Sequence, residues 1–161
     1  MAAHKTAFYS GGVPLAVGAI IGGGSEEQIE TLRAYGMSTG LAFQIQDDLL
    51  NLVGTEEATR KDFRGDITEG KRTLVVVHAL EHAQGNAHDE LIDILSSKET
   101  DPESLERAVQ IMREAGSIDF ARSYAIKLAH DHQHDVEAVL PATPMRKLLV
   151  SMGDFFVSRL S

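Results

Sequence analysis

Apolar residues recur along this chain at three- and four-residue intervals, the spacing that gathers them on one face of a helix. The run "AFYSGGVPLAVGAIIGGG" predicts a buried helix closed by Gly22, Gly23 and Gly24, because glycine accepts the left-handed conformation that ends many helices. Ser25 followed by Gln28 has the form of a capping box, in which each side chain satisfies the other's backbone N–H. Ile29, Leu32, Tyr35 or Gly36, and Thr39 carry a second, long helix into "FQIQDDLLN" and on towards Gly54. The polar stretch "TEEATRKDFRGDITEGKR" has no apolar periodicity and predicts a loop. "TLVVVHALEHA" then resumes as a short apolar helix. Its three valines also suit a buried strand, but no second strand is available to pair with it.

Leu91, Ile94 and Leu95 mark a further helix. Asp101 and Pro102 supply an N-cap and a first-turn proline for "PESLERAVQIMREA", which Gly116 ends. Ser117 opens the next helix, whose pattern of Ile118, Ala121, Tyr124, Ala125 and Leu128 runs towards Val139. Pro141 and Pro144 break that helix, and "MRKLLVSMGDFFVSRL" forms the last one. The expectation is an all-α chain of roughly seven helices, a single helical domain over residues 1–161 without repeat, linker or low-complexity segment.

Composition narrows the function. At 161 residues the chain fits one domain with a sizeable core. A formal net charge of −9 argues against a nucleic-acid partner or an anionic membrane surface. It leaves anionic small substrates open, because basic residues can still cluster in one site. The absence of cysteine excludes a disulfide framework and Cys-based zinc sites, and is compatible with a cytoplasmic location. His4 and Lys5 ahead of the first apolar run raise the possibility of a signal peptide. Gly11, Gly12 and Pro14 interrupt that run, so it is expected to be neither an integral membrane segment nor a leader, but a buried helix.

The chemistry concentrates in "FQIQDDLLN". Gln44, Asp47, Asp48 and Asn51 fall on one helix face, while Phe43, Ile45, Leu49, Leu50, Leu52 and Val53 cover much of the rest. Two adjacent carboxylates inside an apolar run are costly unless a cation compensates them. Hard, oxygen-loving Mg²⁺ suits such a pair, typically completing its shell with water and substrate phosphate oxygens. The following loop supplies the opposite sign in Lys61, Arg64, Lys71 and Arg72, with Asp66 among them. These are the pieces for gripping a metal-bridged phosphate or diphosphate, although a solvated charge run is the usual outcome for such a loop. "GDITEGKR" nearly matches a nucleotide-binding phosphate loop, but Arg72 stands where the magnesium-binding hydroxyl belongs and no buried strand precedes it.

"FQIQDD", its polar loop and "GDITEGKRTL" together resemble the second aspartate-rich region of the trans-isoprenyl diphosphate synthases, all-helical enzymes that make geranyl, farnesyl and geranylgeranyl diphosphates. The resemblance extends back to "HKTAFYSGGVPLAVGAIIGG" and forward to "GSIDFARSYAIKLA" and "LPATPMRKLLVSMGDFFVSR", nearly the whole chain. It implies the C-terminal portion of the isoprenoid-synthase helical bundle and a prenyltransferase that condenses an allylic diphosphate with isopentenyl diphosphate, using Mg²⁺. By the same resemblance Asp47 and Asp48 hold the metal, and Lys61 and Lys71 grip the allylic diphosphate. Lys5, Thr6 and Gln44 line the reacting carbon, and Asn51 and Asp66 take supporting places.

The chain departs from the family pattern in three respects. Asn51 replaces the third aspartate of D-D-x-x-D, and Arg60 stands where a glycine often precedes the loop lysine. The family is about twice this length, and its first D-D-x-x-D motif has no counterpart here, since Asp47-Asp48 is the only Asp-Asp pair. The resemblance therefore implies the C-terminal half of a synthase that is a homo-oligomer at full length, with little or no activity in the isolated chain. Two other classes stay open: a non-catalytic partner subunit of a full-length synthase, and a helical protein binding metal through His130 and His134 in "AHDHQHD".

Overall fold

The computed structural model describes residues 3–54, 64–97 and 101–158, with the backbone alone for residues 3–6. A π-helical segment, Ala3–Gly12, leads into α1 (Val13–Ile21), where Pro14 sits in the first turn. Gly23, at φ +71°, turns the chain out of α1. The capping box opens α2 (Glu26–Val53): Gln28 N–H donates to Ser25 Oγ (3.2 Å) and Ser25 N–H to Gln28 Oε1 (3.0 Å).

After it come α3 (Gly65–Thr68), α4 (Leu74–His82) and α5 (Asn86–Ser97). The remaining helices are α6 (Pro102–Glu114), α7 (Ser117–His130), α8 (Gln133–Val139) and α9 (Pro144–Val157). Side-chain oxygens of Thr73, Asp101 and Thr143 accept from the backbone N–H three residues on, capping α4, α6 and α9. Every element among the described residues is helical, so the all-α expectation holds.

Three local expectations are corrected. The polar stretch after Gly54 contains the single-turn helix α3, because Ile67 (1% exposed) and Asp66 (7% exposed) both find buried positions there. The helix expected from Ser117 towards Val139 is broken into α7 and α8 at His132, which lies at φ +67°. The polar run from His130 to Asp135 contains no buried side chain to hold a straight helix, and His132 Nδ1 pairs instead with Asp135 Oδ2 at 3.0 Å. The first apolar run is buried on one side only. Ala7 and Ala16 are buried, while Tyr9, Val17, Ile20 and Ile21 are exposed.

The chain divides into two compact units, Met1–Gln46 with Tyr124–Ser161, and Asp47–Ser123. In the first, Leu32, Tyr35 and Val136 form a buried cluster against Leu15, Ala19, Leu140, Leu149 and Val150. The Tyr35 hydroxyl donates to the Leu149 carbonyl at 2.8 Å, and burial pushes its phenol up to about 12. The π-helical segment lies directly on the α2 backbone. A Cβ added at Gly11 would sit 2.1 Å from the Gly36 carbonyl oxygen, so only glycine permits the approach.

In the second unit Leu49, Leu52, Ile67, Val75, Leu91 and Met112 are among the fully buried side chains. The Arg107 guanidinium ties α6 to α5 by donating from Nε and from one terminal nitrogen to the two Glu90 carboxylate oxygens, at 2.9 and 2.8 Å. Among the described residues no helix is long and apolar enough to cross a membrane.

Candidate functional site

The last turns of α2 set the site. Ile45, Leu49 and Leu52 are buried and fix the rotation of the helix about its axis. The opposite positions are left accessible: Asp47 is exposed, and Gln44, Asp48 and Asn51 are half-buried. None of these four positions is buried. Gln44 belongs to the first compact unit, whereas Asp47, Asp48 and Asn51 belong to the second. Asp47 makes no hydrogen bond or ion pair with the described residues, so its carboxylate is available to an external cation.

Asn51 joins the helix to the loop that follows. Its side-chain Oδ1 accepts from the backbone N–H of Asp66 at 3.1 Å, and its carbonyl accepts from the N–H of Arg64 at 3.0 Å. Asp66 in turn holds Lys71 twice. Its carbonyl accepts from the Lys71 N–H at 2.9 Å, and its carboxylate accepts from Lys71 Nζ at 2.6 Å. That hydrogen bond raises the pKa of Lys71 above the ordinary lysine value, with Glu69 adding a second partner at 3.2 Å. Lys71 remains half-exposed, so its ammonium is cationic, oriented and reachable.

The loop cations do not share one role. The Arg64 guanidinium pairs with Glu106 and is largely covered, which ties the loop to α6. Arg64 also adopts φ +58°, a conformation that an L side chain rarely takes. Arg72 is exposed. Lys61 lies outside the described residues, as do the side chains of Lys5 and Thr6, whose backbone belongs to the π-helical segment. The structure thus brings together Asn51, Asp66 and Lys71, and places Asp47 and Asp48 one turn before Asn51 on the same helix.

His130 and His134 do not lie on one continuous helix. His130 ends α7, His134 belongs to α8, and the break at His132 removes the continuous helix that would have put the two imidazoles on one face. His130 Nε2 is engaged with Asp154 Oδ1 at 2.8 Å. His78 is satisfied through Nδ1, 2.9 Å from Ser117 Oγ, and is stacked between His82 and Phe120. A cleft of about 870 Å³ between α5 and α6 is lined by acidic residues such as Asp89, Glu90 and Asp93, and contains none of the candidate residues.

Among the described residues no three or more histidine and carboxylate groups converge into a complete metal cage. The donor set still fits Mg²⁺, which characteristically takes one or two protein carboxylates and fills its octahedron with water and phosphate oxygens. Asp47 and Asp48 offer hard oxygen donors of that number, and the lysine that could share a bound phosphate is positioned in the same unit.

The polyprenyl synthetase family model matches residues 1–112. The chain is 39% identical over 143 residues to a geranylfarnesyl diphosphate synthase from Natronomonas pharaonis, a match covering 88% of this chain and 39% of the relative. It is likewise 39% identical over 142 residues to a short chain isoprenyl diphosphate synthase from Methanothermobacter thermautotrophicus, covering 88% of this chain and 43% of that protein. The fold superposes at a TM-score of 0.89 and 31% identity on a geranylgeranyl pyrophosphate synthase from Corynebacterium glutamicum solved with isoprenyl diphosphate and magnesium, over 96% of this chain and 44% of that one. The chain thus spans about two fifths of the length of these relatives. Matched by that model over its first 112 residues and by synthase structures over nearly all of its length, the chain belongs to the polyprenyl synthetase family.

Proposed function

We propose that this chain is the diphosphate-binding C-terminal portion of a trans-prenyltransferase, which joins an allylic diphosphate to isopentenyl diphosphate in isoprenoid biosynthesis. The observation that carries the reading is the pairing of Asp47 and Asp48 with a lysine loop anchored to the same helix end through Asn51. Structural neighbours solved with isoprenyl diphosphate and a divalent cation support it.

Asp47 and Asp48 would hold Mg²⁺, which supplies Lewis acidity to a departing diphosphate. Lys71 donates its ammonium hydrogens to diphosphate oxygens, and its fixed position means little reorganisation as negative charge grows. Gln44, one turn before Asp47, takes the place the resemblance gives it, with Lys5 and Thr6, beside the carbon that becomes cationic. Lys61 adds a second lysine to the diphosphate. Tyr9, Val17, Ile20 and Ile21 are the exposed apolar surface that the N-terminal portion of a full-length synthase would cover, and the isolated chain is expected to form little or no product.

The binding half of this reading is testable on the chain alone. Titration calorimetry with inorganic pyrophosphate is expected to show binding only when Mg²⁺ is present. Lys71→Met should weaken it about tenfold, the value of one charge-assisted hydrogen bond. A folded chain that takes up no pyrophosphate with Mg²⁺, or one indifferent to the Lys71 substitution, would remove the proposal.

A further inference from the structure

We infer that Asn51 is a positioning residue for Lys71, so that the third place of the aspartate motif serves in this chain as a loop anchor and not as a metal ligand. The inference rests on Lys71 being a diphosphate ligand, as proposed above. Asn51 is the one residue of α2 shown bonding to both ends of the Arg64–Asp66 tripeptide: its carbonyl accepts from Arg64 N–H at 3.0 Å, and its Oδ1 accepts from Asp66 N–H at 3.1 Å. Beyond that anchor Asp66, 7% exposed, passes the constraint on through its carboxylate, 2.6 Å from Lys71 Nζ.

The loop would not hold this shape by itself. Arg64 at φ +58° is unfavourable for a residue with a side chain and persists only where neighbouring bonds over-determine it. Among the bonds that hold it are the one from its N–H to the Asn51 carbonyl and the one from its guanidinium to Glu106. The anchor needs only an acceptor at this position, and an amide oxygen and a carboxylate oxygen both accept the Asp66 N–H.

Two readouts separate this inference from the reading beneath it. In protein labelled with ¹⁵N-lysine, the hydrogen-bonded Lys71 ammonium is expected as a protected resonance, assigned by its absence in Lys71→Arg. Asn51→Ala and Asn51→Leu should lose it while circular dichroism stays helical, and Asn51→Asp, which keeps the acceptor, should retain it. Magnesium-dependent pyrophosphate affinity should fall about tenfold in the first two variants and recover in the third. A protected Lys71 signal that survives Asn51→Ala or Asn51→Leu in a folded protein overturns the inference, as does its loss in folded Asn51→Asp. If the signal follows Asn51 but wild type binds no pyrophosphate, anchoring of Lys71 by Asn51 stands and the diphosphate reading fails.

Discussion

Asp47→Asn is expected to lower prenyl transfer by about 100- to 1000-fold in an enzyme reassembled from this chain and the N-terminal portion of a relative, the loss typical of removing one preorganised electrostatic contact to the leaving group. Stability should hardly change. Asp47 is exposed and makes no ion pair or hydrogen bond with the described residues, and such surface substitutions usually stay within about 0.5 kcal/mol. The combination is informative because a fold-supporting carboxylate would show the reverse, reduced stability with activity falling only in proportion. Steady-state kinetics over a range of Mg²⁺ concentrations, beside urea unfolding of the same preparation, reads both quantities. Unchanged turnover in Asp47→Asn would favour the non-catalytic subunit, which has no use for a magnesium ligand.

Gly36→Ala is expected to cost about 3 kcal/mol of stability, the upper end for forcing one methyl group into a packed interior. The added Cβ would meet Gly11 O at 2.5 Å, Gly11 C at 2.7 Å and Gly12 Cα at 3.0 Å, all of them backbone atoms that no rotamer change can move aside. The π-helical segment must then lift from α2. Because that segment carries Lys5 and Thr6, activity should fall further than the unfolded fraction explains. Gly18→Ala in α1 is the matched control: nothing lies within 4 Å of its added Cβ, so helix propensity should stabilise that variant by about 0.5–1 kcal/mol. Urea midpoints moving in opposite directions for the two glycines would establish the close approach. Equal midpoints would refute it.

Features written in a few adjacent residues were legible before any coordinates. The Ser25–Gln28 box, the Asp101 cap and the glycine turns each act within four positions of the chain, and the apolar spacing of α2 placed Asp47 and Asp48 on its accessible side. The assignment of Mg²⁺ and diphosphate came from residue chemistry joined to resemblance.

Contacts between distant positions were not legible. Asn51 meets Asp66 across 15 residues and Arg64 meets Glu106 across 42, and no periodicity announces either pair. Arg64 therefore read only as one of the loop's positive charges, with no sign of its pairing with Glu106. The His132 break escaped notice for a related reason: the helical period continues through "HDHQHD", but no apolar side chain there packs to enforce it. The exposed side of α1 was hidden too, since periodicity marks a residue as apolar without saying what covers it.

The most direct test is a chimera in which this chain replaces the two fifths of the Methanothermobacter thermautotrophicus synthase that it matches. Diphosphate release and prenyl product are measured with and without Mg²⁺, beside the isolated chain and the same chimera carrying Asp47→Asn. The prediction is magnesium-dependent condensation by the chimera, little or none by the isolated chain, and loss on substituting Asp47. A folded chimera that releases no diphosphate, or robust condensation by the isolated chain, would contradict the claim that this chain is the diphosphate-binding portion of a larger prenyltransferase.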